Sequence, residues 1–225
     1  AADEEESDSR HVWALRLLQH FGAEQLGVSP EEVFRGRILN VGLETTRENI
    51  LRADNIVTFL RAQGVEAIGL DPQVTDDPER GYVNGMVQQM PFGESEFDAA
   101  ISVGLFHREF FYISQMQKQG FETPEAFYRQ AAQELQRVLK DQGGLYVVLG
   151  SVPNPEWVAA FQAAGFRVIL LHEATQAYLL VNHKAAELTQ PPAEEEPGGA
   201  LLGQGMPRLL GLLSAPNPSM QLAAK

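Results

Sequence analysis

The side chains that could do chemistry sit at the ends of short apolar runs. Residues 40–46, Asn-Val-Gly-Leu-Glu-Thr-Thr, follow Arg37-Ile38-Leu39 and hold a single glycine, Gly42, two residues before the acid Glu44. A glycine there lets the chain turn sharply from a strand into a helix, and a ligand at such a turn meets backbone N–H groups. Asp71 closes the run Ala67-Ile68-Gly69-Leu70 and could either accept hydrogen bonds from a ligand or cap its own loop. Asp98 opens another run, Ala99-Ala100-Ile101-Ser102-Val103, where an acid suits the turn into a strand. His107 lies just past that run, where an imidazole at a pocket mouth could act as a general base or simply bond to its neighbours. His11, His20, His172 and His183 fall on separate segments without metal-ligand spacing, so no metal site is expected.

The elements that position these residues alternate between two periods. Val12, Trp13, Leu15, Leu17, Leu18, Phe21 and Leu26 form an apolar stripe of helical period, with both tryptophans, Trp13 and Trp157, expected in the core. Residues 37–42 then read as a buried strand. Thr45-Thr46-Arg47-Glu48 matches a capping box, and Ile50, Ala53, Ile56, Val57 and Leu60 continue it as a helix stopped near Gly64. Further strands are expected at 65–71, 82–84, 97–103 and 145–149, with helices at 124–140 and 155–164. The last two strands, 166–171 and 177–181, are separated by five residues, too few for a helical crossover. One of them must run antiparallel. The alternation predicts a doubly wound, mostly parallel Rossmann-like α/β sheet with helices on both faces and that antiparallel strand near its C-terminal end.

Composition narrows the function. The 225 residues include 30 acidic and 17 basic ones, a formal net charge of −13, and the basic ones are scattered. A nucleic-acid partner is not expected, because binding phosphates needs clustered Lys and Arg. No membrane insertion is expected either: the longest charge-free stretch, residues 209–224, is interrupted by Pro216 and Pro218. There is no cysteine, which excludes disulfides, thiolate catalysis and iron–sulfur ligation and fits a reducing compartment. The expectation is a soluble intracellular protein, of the cytoplasm or, after processing, of a plastid or mitochondrion.

The chain divides into an acidic tail at 1–10, an α/β domain at 11–184 and a Pro/Gly-rich segment at 185–225. The last segment carries leucines at 201, 202, 209, 210, 212 and 213, which a purely solvated linker would avoid. It is expected to lie extended on another protein subunit and bury those leucines there.

The turn at 40–46 lacks the G-x-G-x-x-G spacing of a dinucleotide fold, and no phosphate-binding P-loop is present. Residues 36–184 instead resemble the class I S-adenosylmethionine-dependent methyltransferases, in particular the small type 11 group. Residues 37–42 look like that family's first motif strand, whose pattern is acid-x-Gly-x-Gly-x-Gly, and residues 67–71 like its second, ending in the acid that holds the ribose hydroxyls. Residues 84–92 are similar to the family's adenine-side segment. Residues 94–107 are similar to its fourth strand and the loop behind it, and residues 134–144 to its E-x-x-R-V-L-K-P-G-G motif. The resemblance implies S-adenosylmethionine as cofactor, with Gly42, Glu44, Asp71 and Met86 at cofactor-binding positions and His107 as a catalytic candidate.

The departures fall on those same positions. Asn40 replaces the first acid, Glu44 and Thr46 replace glycines, and Met86 replaces the adenine-contacting acid. A Glu44 carboxylate about 4 Å from the ligand's own would cost, at an effective dielectric near 20, at most about 4 kcal/mol. The sequence thus predicts a methyltransferase-like domain with an eroded cofactor site, serving as a structural or assembly subunit. The alternative is an active methyltransferase on a small molecule or protein.

Overall fold

The computed structural model describes residues 10–43, 55–106, 120–150 and 154–183. Expectations placed on the acidic start, Glu44, the capping box at Thr45, His107 and the C-terminal leucines lie outside these residues.

Helix α1 (Arg10–Leu26) turns Val12, Ala14, Leu15 and Leu18 inward, and a single-turn helix α2 (Pro30–Val33) follows. The sequence shows only a turn here, yet Ser29 and Glu32 form a capping box around Pro30. Strand β1 (Arg37–Val41) leads through a described helix α3 (Ile56–Ala62) to β2 (Glu66–Asp71) and the short β3 (Tyr82–Asn84). Asn55 caps α3 by accepting the Thr58 N–H at 3.0 Å. Then come β4 (Ala99–Val103), α4 (Pro124–Val138), β5 (Gln142–Leu149), α5 (Pro155–Ala163), β6 (Phe166–His172) and β7 (Ala177–His183).

The seven strands form one sheet in the order β3-β2-β1-β4-β5-β7-β6. All pairs are parallel except those made by β7, which runs back after the turn at 173–176 and inserts between β5 and β6. Neighbouring side chains along each strand go to opposite faces. Ile38, Ile101, Val147 and Leu179 meet Leu15, Leu18, Ile56 and Leu60 on one side, and Leu39, Ala100, Tyr146 and Val148 meet Phe127, Leu135, Trp157 and Phe161 on the other. Helices therefore cover both faces, as a sheet with apolar side chains on both sides requires.

Several expectations need correction. Trp13 is 55% exposed. It lies about 100° around α1 from Val12, on the flank shared with the exposed His20 and Glu24, so the buried stripe passes it by. Trp157 is core as expected. Helix α4 stops at Val138 rather than 140 because Lys140 N–H pairs with the Phe97 carbonyl, turning the chain into the sheet. Strand β5 begins at Gln142, ahead of the expected 145, with an irregularity of register between Gln142 and Leu145 that absorbs the two glycines.

The end of α4 is closed from the sheet. The Asn182 amide on β7 donates to the carbonyls of Gln136, Leu139 and Lys140 at 3.2, 3.3 and 3.1 Å, groups that a helix terminus leaves without partners. Replacing Asn182 by Leu removes that donor from a fully buried place. Urea denaturation of the variant is expected to show a loss of about 1–3 kcal/mol.

Candidate functional site

Strands β1, β2 and β4 are mutually parallel, so their C-terminal residues Val41, Asp71 and Val103 share one rim of the sheet. In an open α/β sheet, ligands bind beyond this rim. Gly42 makes the first turn there with φ +77°, a left-handed conformation that a side chain would strain, and its N–H donates to the Leu70 carbonyl at 2.8 Å. The next residue brings the turn onto Asp71: Leu43 N–H donates to Asp71 Oδ2 at 3.0 Å, while Gln73 N–H donates to Oδ1 at 2.8 Å. The Leu43 side chain is buried over Gly69, where an added Cβ would stand 2.6 Å from Leu43 Cδ2. The missing side chain at Gly69 leaves the room in which Leu43 lies down on β2.

Asp71 is 6% exposed. Burial pushes its carboxyl above the ordinary range for an aspartate, and the two N–H donors at Gln73 and Leu43 pull against it without cancelling the shift. Asn40, two residues before Gly42, is 2% exposed, and among the described residues neither its Oδ1 nor its Nδ2 has a partner. It pairs in the sheet with Gly69 and Ile101. Asn40 and Asp71 fall on the same face of the sheet by strand alternation, the face covered by α3.

Met86 follows β3 and is half-buried. Gly85 N–H reaches the Asp71 carbonyl at 3.4 Å, and the Gln88 amide donates to the Met86 sulfur at 3.0 Å. The loop behind it is held from α4 by a two-residue clamp. Glu134 Oε2 accepts the Met90 N–H at 2.8 Å, and Arg137 donates to the carbonyls of Phe92 and Met90 at 2.7 and 3.1 Å and to both Glu134 oxygens at 2.9 and 2.8 Å. The Arg137 hydrogen bond above all holds the Glu134 carboxyl below its usual range, against the opposing effect of burial. The Glu-x-x-Arg spacing thus has a structural reason: residues one helical turn apart reach one loop together.

Beyond β4, Gly104 N–H donates to the Leu149 carbonyl at 2.7 Å, and Phe106 is buried among Tyr128, Tyr146, Trp157 and Phe161. Asn154, the N-cap of α5, holds this loop by donating to the Phe106 carbonyl at 2.9 Å and the Tyr128 hydroxyl at 3.0 Å. Sequence reasoning missed this residue; Asn-Pro ahead of a helix was its signal. Asp98 is at the opposite end of the sheet. It accepts the Arg37 N–H at 2.9 Å and the Lys140 ammonium, the part of a strand-anchoring acid. The structure therefore brings together Gly42, Asp71 and Met86, through Leu43 and Gly85. Among the described residues, no cluster of His, Asp and Glu could hold a metal, and no helix is long and apolar enough to cross a membrane.

No family model and no curated protein matches this chain. Among solved structures it is similar to a chain of the complex between the Haloferax volcanii Trm112 methyltransferase activator and a methyltransferase, at 15% identity over 78% of this chain and 98% of that one, with a TM-score of 0.44. It is also similar to a TehB-like SAM-dependent methyltransferase from Corynebacterium glutamicum, at 16% identity, 67% and 80% coverage and a TM-score of 0.43. A third is a SAM-dependent methyltransferase from Thermotoga maritima, at 15% identity, 77% and 94% coverage and a TM-score of 0.41. The chain's own strand order, with its single reversed strand and covered faces, defines a mostly parallel, Rossmann-like α/β fold.

The raised Asp71 carboxyl has a consequence with a definite sign. A folded pKa above the unfolded one means that the folded chain binds the proton more readily; the resulting stability is complete below the ordinary aspartate pKa and is lost as pH rises through the raised value. The Asp71→Asn variant has no such group to titrate. Urea midpoints measured from about pH 4 to pH 7 are expected to show wild type losing ground to Asp71→Asn as pH rises, with the difference levelling off once Asp71 is ionised.

Proposed function

We propose that this chain is a methyltransferase-like domain whose cofactor turn has become structural, and that it works as a non-catalytic subunit of a larger protein assembly. One observation carries the reading: the acid at the ribose-binding position, Asp71, is engaged by its own chain, with one backbone N–H on each oxygen. Hydrogen bonds to a charged group contribute about 1.5–3 kcal/mol each. Asp71 therefore already joins β1 to β2 with no ligand needed.

The remaining described residues support the same reading. S-adenosylmethionine is a nucleoside carrying a sulfonium and a free amino-acid group. Facing it, the chain offers a neutral amide at Asn40 where the family has an acid, and a thioether at Met86 where it has another. This set does not fit the cofactor. Glu44, from the sequence, adds a charge of the same sign as the ligand's carboxylate. The contact with other subunits is assigned to the leucine-bearing segment 185–225, whose apolar pairs, spaced between prolines and glycines, suit an extended docking strap.

Asn40 favours a second reading, an active methyltransferase whose rate would come from proximity and alignment. A buried amide with both atoms unpartnered costs about 1–3 kcal/mol per open group and calls for an explanation, and a bound ligand would be one.

Thermal shift separates the two. A ligand at about a hundred times its dissociation constant adds about 2.7 kcal/mol of stability, several degrees in melting temperature for a domain of this size. Millimolar S-adenosylmethionine or S-adenosylhomocysteine is expected to leave the melting temperature unchanged. The double variant Glu44→Gly/Met86→Asp should gain whatever residual affinity the fold retains. A clear shift in wild type, lost in Asp71→Ala, would establish the enzyme reading instead.

A further inference from the structure

The two edges of the sheet are unlike. At one, β3 is three residues long and guarded by acids: Asp77 and Tyr82 exchange backbone hydrogen bonds, and Asn84 N–H is held by Asp76. At the other, β6 runs for seven residues, Phe-Arg-Val-Ile-Leu-Leu-His, and among the described residues pairs only with β7. Arg167 is its one charge apart from the terminal histidine, it has no proline or lysine, and Leu170 is 48% exposed. A long apolar edge of this kind is a template for another strand, and proteins ordinarily shorten, charge or cover it.

The chain's own sequence carries a segment of fitting length and composition. Strand β7 ends at His183, and its Asn182 is paired with Phe166, so the chain leaves the domain beside the first residue of β6. Forty-two residues follow, 184–225. Within them, residues 208–215 (Arg-Leu-Leu-Gly-Leu-Leu-Ser-Ala) form a proline-free stretch of strand length bounded by Pro207 and Pro216, with no acid and a single base. Prolines at such boundaries leave the ladder between them intact. The 24 residues of tether, 184–207, extend up to about 80 Å, against about 23 Å for β6, so the stretch reaches any register along the edge. A tethered segment also competes at an effective concentration on the order of millimolar, above that of a free partner at ordinary cellular levels.

We propose that in the isolated chain residues 208–215 add to the open edge of β6 as an eighth strand, with leucines 209, 210, 212 and 213 supplying the apolar contacts. The proposal extends the assembly reading. The segment that meets another subunit has a resting place on its own domain, and assembly exchanges one strand partner for the other.

The absence of cysteine allows a clean test. Leu170→Cys is combined in the full-length chain with a cysteine at 209, 210, 212 or 213, one at a time, under mild oxidation. In parallel, amide hydrogen exchange along β6 is compared between wild type and Leu210→Asp/Leu212→Asp, whose changes lie outside the domain and leave its core intact. The proposal expects an intramolecular bridge in at least one register and β6 amides that exchange at least tenfold faster in the double variant, independent of protein concentration. Disulfide-linked dimers, with protection that grows with concentration, would overturn it in favour of a second copy as occupant. Absence of any bridge together with equal exchange would overturn it outright. Neither readout involves the cofactor, so a thermal shift with S-adenosylmethionine would refute the non-catalytic reading and leave this one standing.

Discussion

Both faces of the central sheet are dry, and that constraint governs every polar side chain in it. A buried donor or acceptor without a partner costs as much as several good contacts contribute, so each must be satisfied inside the protein or at the rim. Ser102 and Tyr146 resolve it by bonding to each other at 2.6 Å across β4 and β5. Asn182 does so with its amide nitrogen, which closes the end of α4, while its Oδ1 is left open. Asp71 does so at the rim itself, where the backbone of the β1 turn comes to its carboxylate. Asn40 alone among these central-strand residues has both polar atoms open.

That arrangement ties fold and site together. The backbone that a cofactor would approach is the backbone that satisfies Asp71, and the Leu43 side chain of that turn lies over Gly69 of β2. The loop with Met86 is fixed in turn by Glu134 and Arg137, and the loop after β4 by Asn154. Among the described residues, the turns after β1, β3 and β4 are each anchored from a neighbouring helix or strand by a named polar group.

Much of this was legible in the residues. The parallel sheet followed from strand runs alternating with helical stripes, and the reversed strand from the five-residue spacing before 177. Asp98 was readable as a strand anchor from its place just before the apolar run. What the sequence hid was decided by long-range contacts. The side on which Trp13 lies depends on how α1 docks, the end of α4 depends on the Lys140–Phe97 pairing, and the two donors on Asp71 come from residues 28 and 2 positions away. No local pattern encodes the first of these. The clamp at 134 and 137 shows the reverse case: a motif that points to a family by resemblance proves to have a packing reason of its own, so its presence argues for the fold and says little about catalysis.

The central claim is that the β1 turn and Asp71 belong to each other. It is tested most directly by the exchange rate of the Leu43 amide proton, followed by NMR with and without millimolar S-adenosylhomocysteine. The account predicts slow exchange, lost in Asp71→Ala and unchanged by the nucleoside. Fast exchange in the free protein that becomes slow only when the nucleoside is added would contradict it.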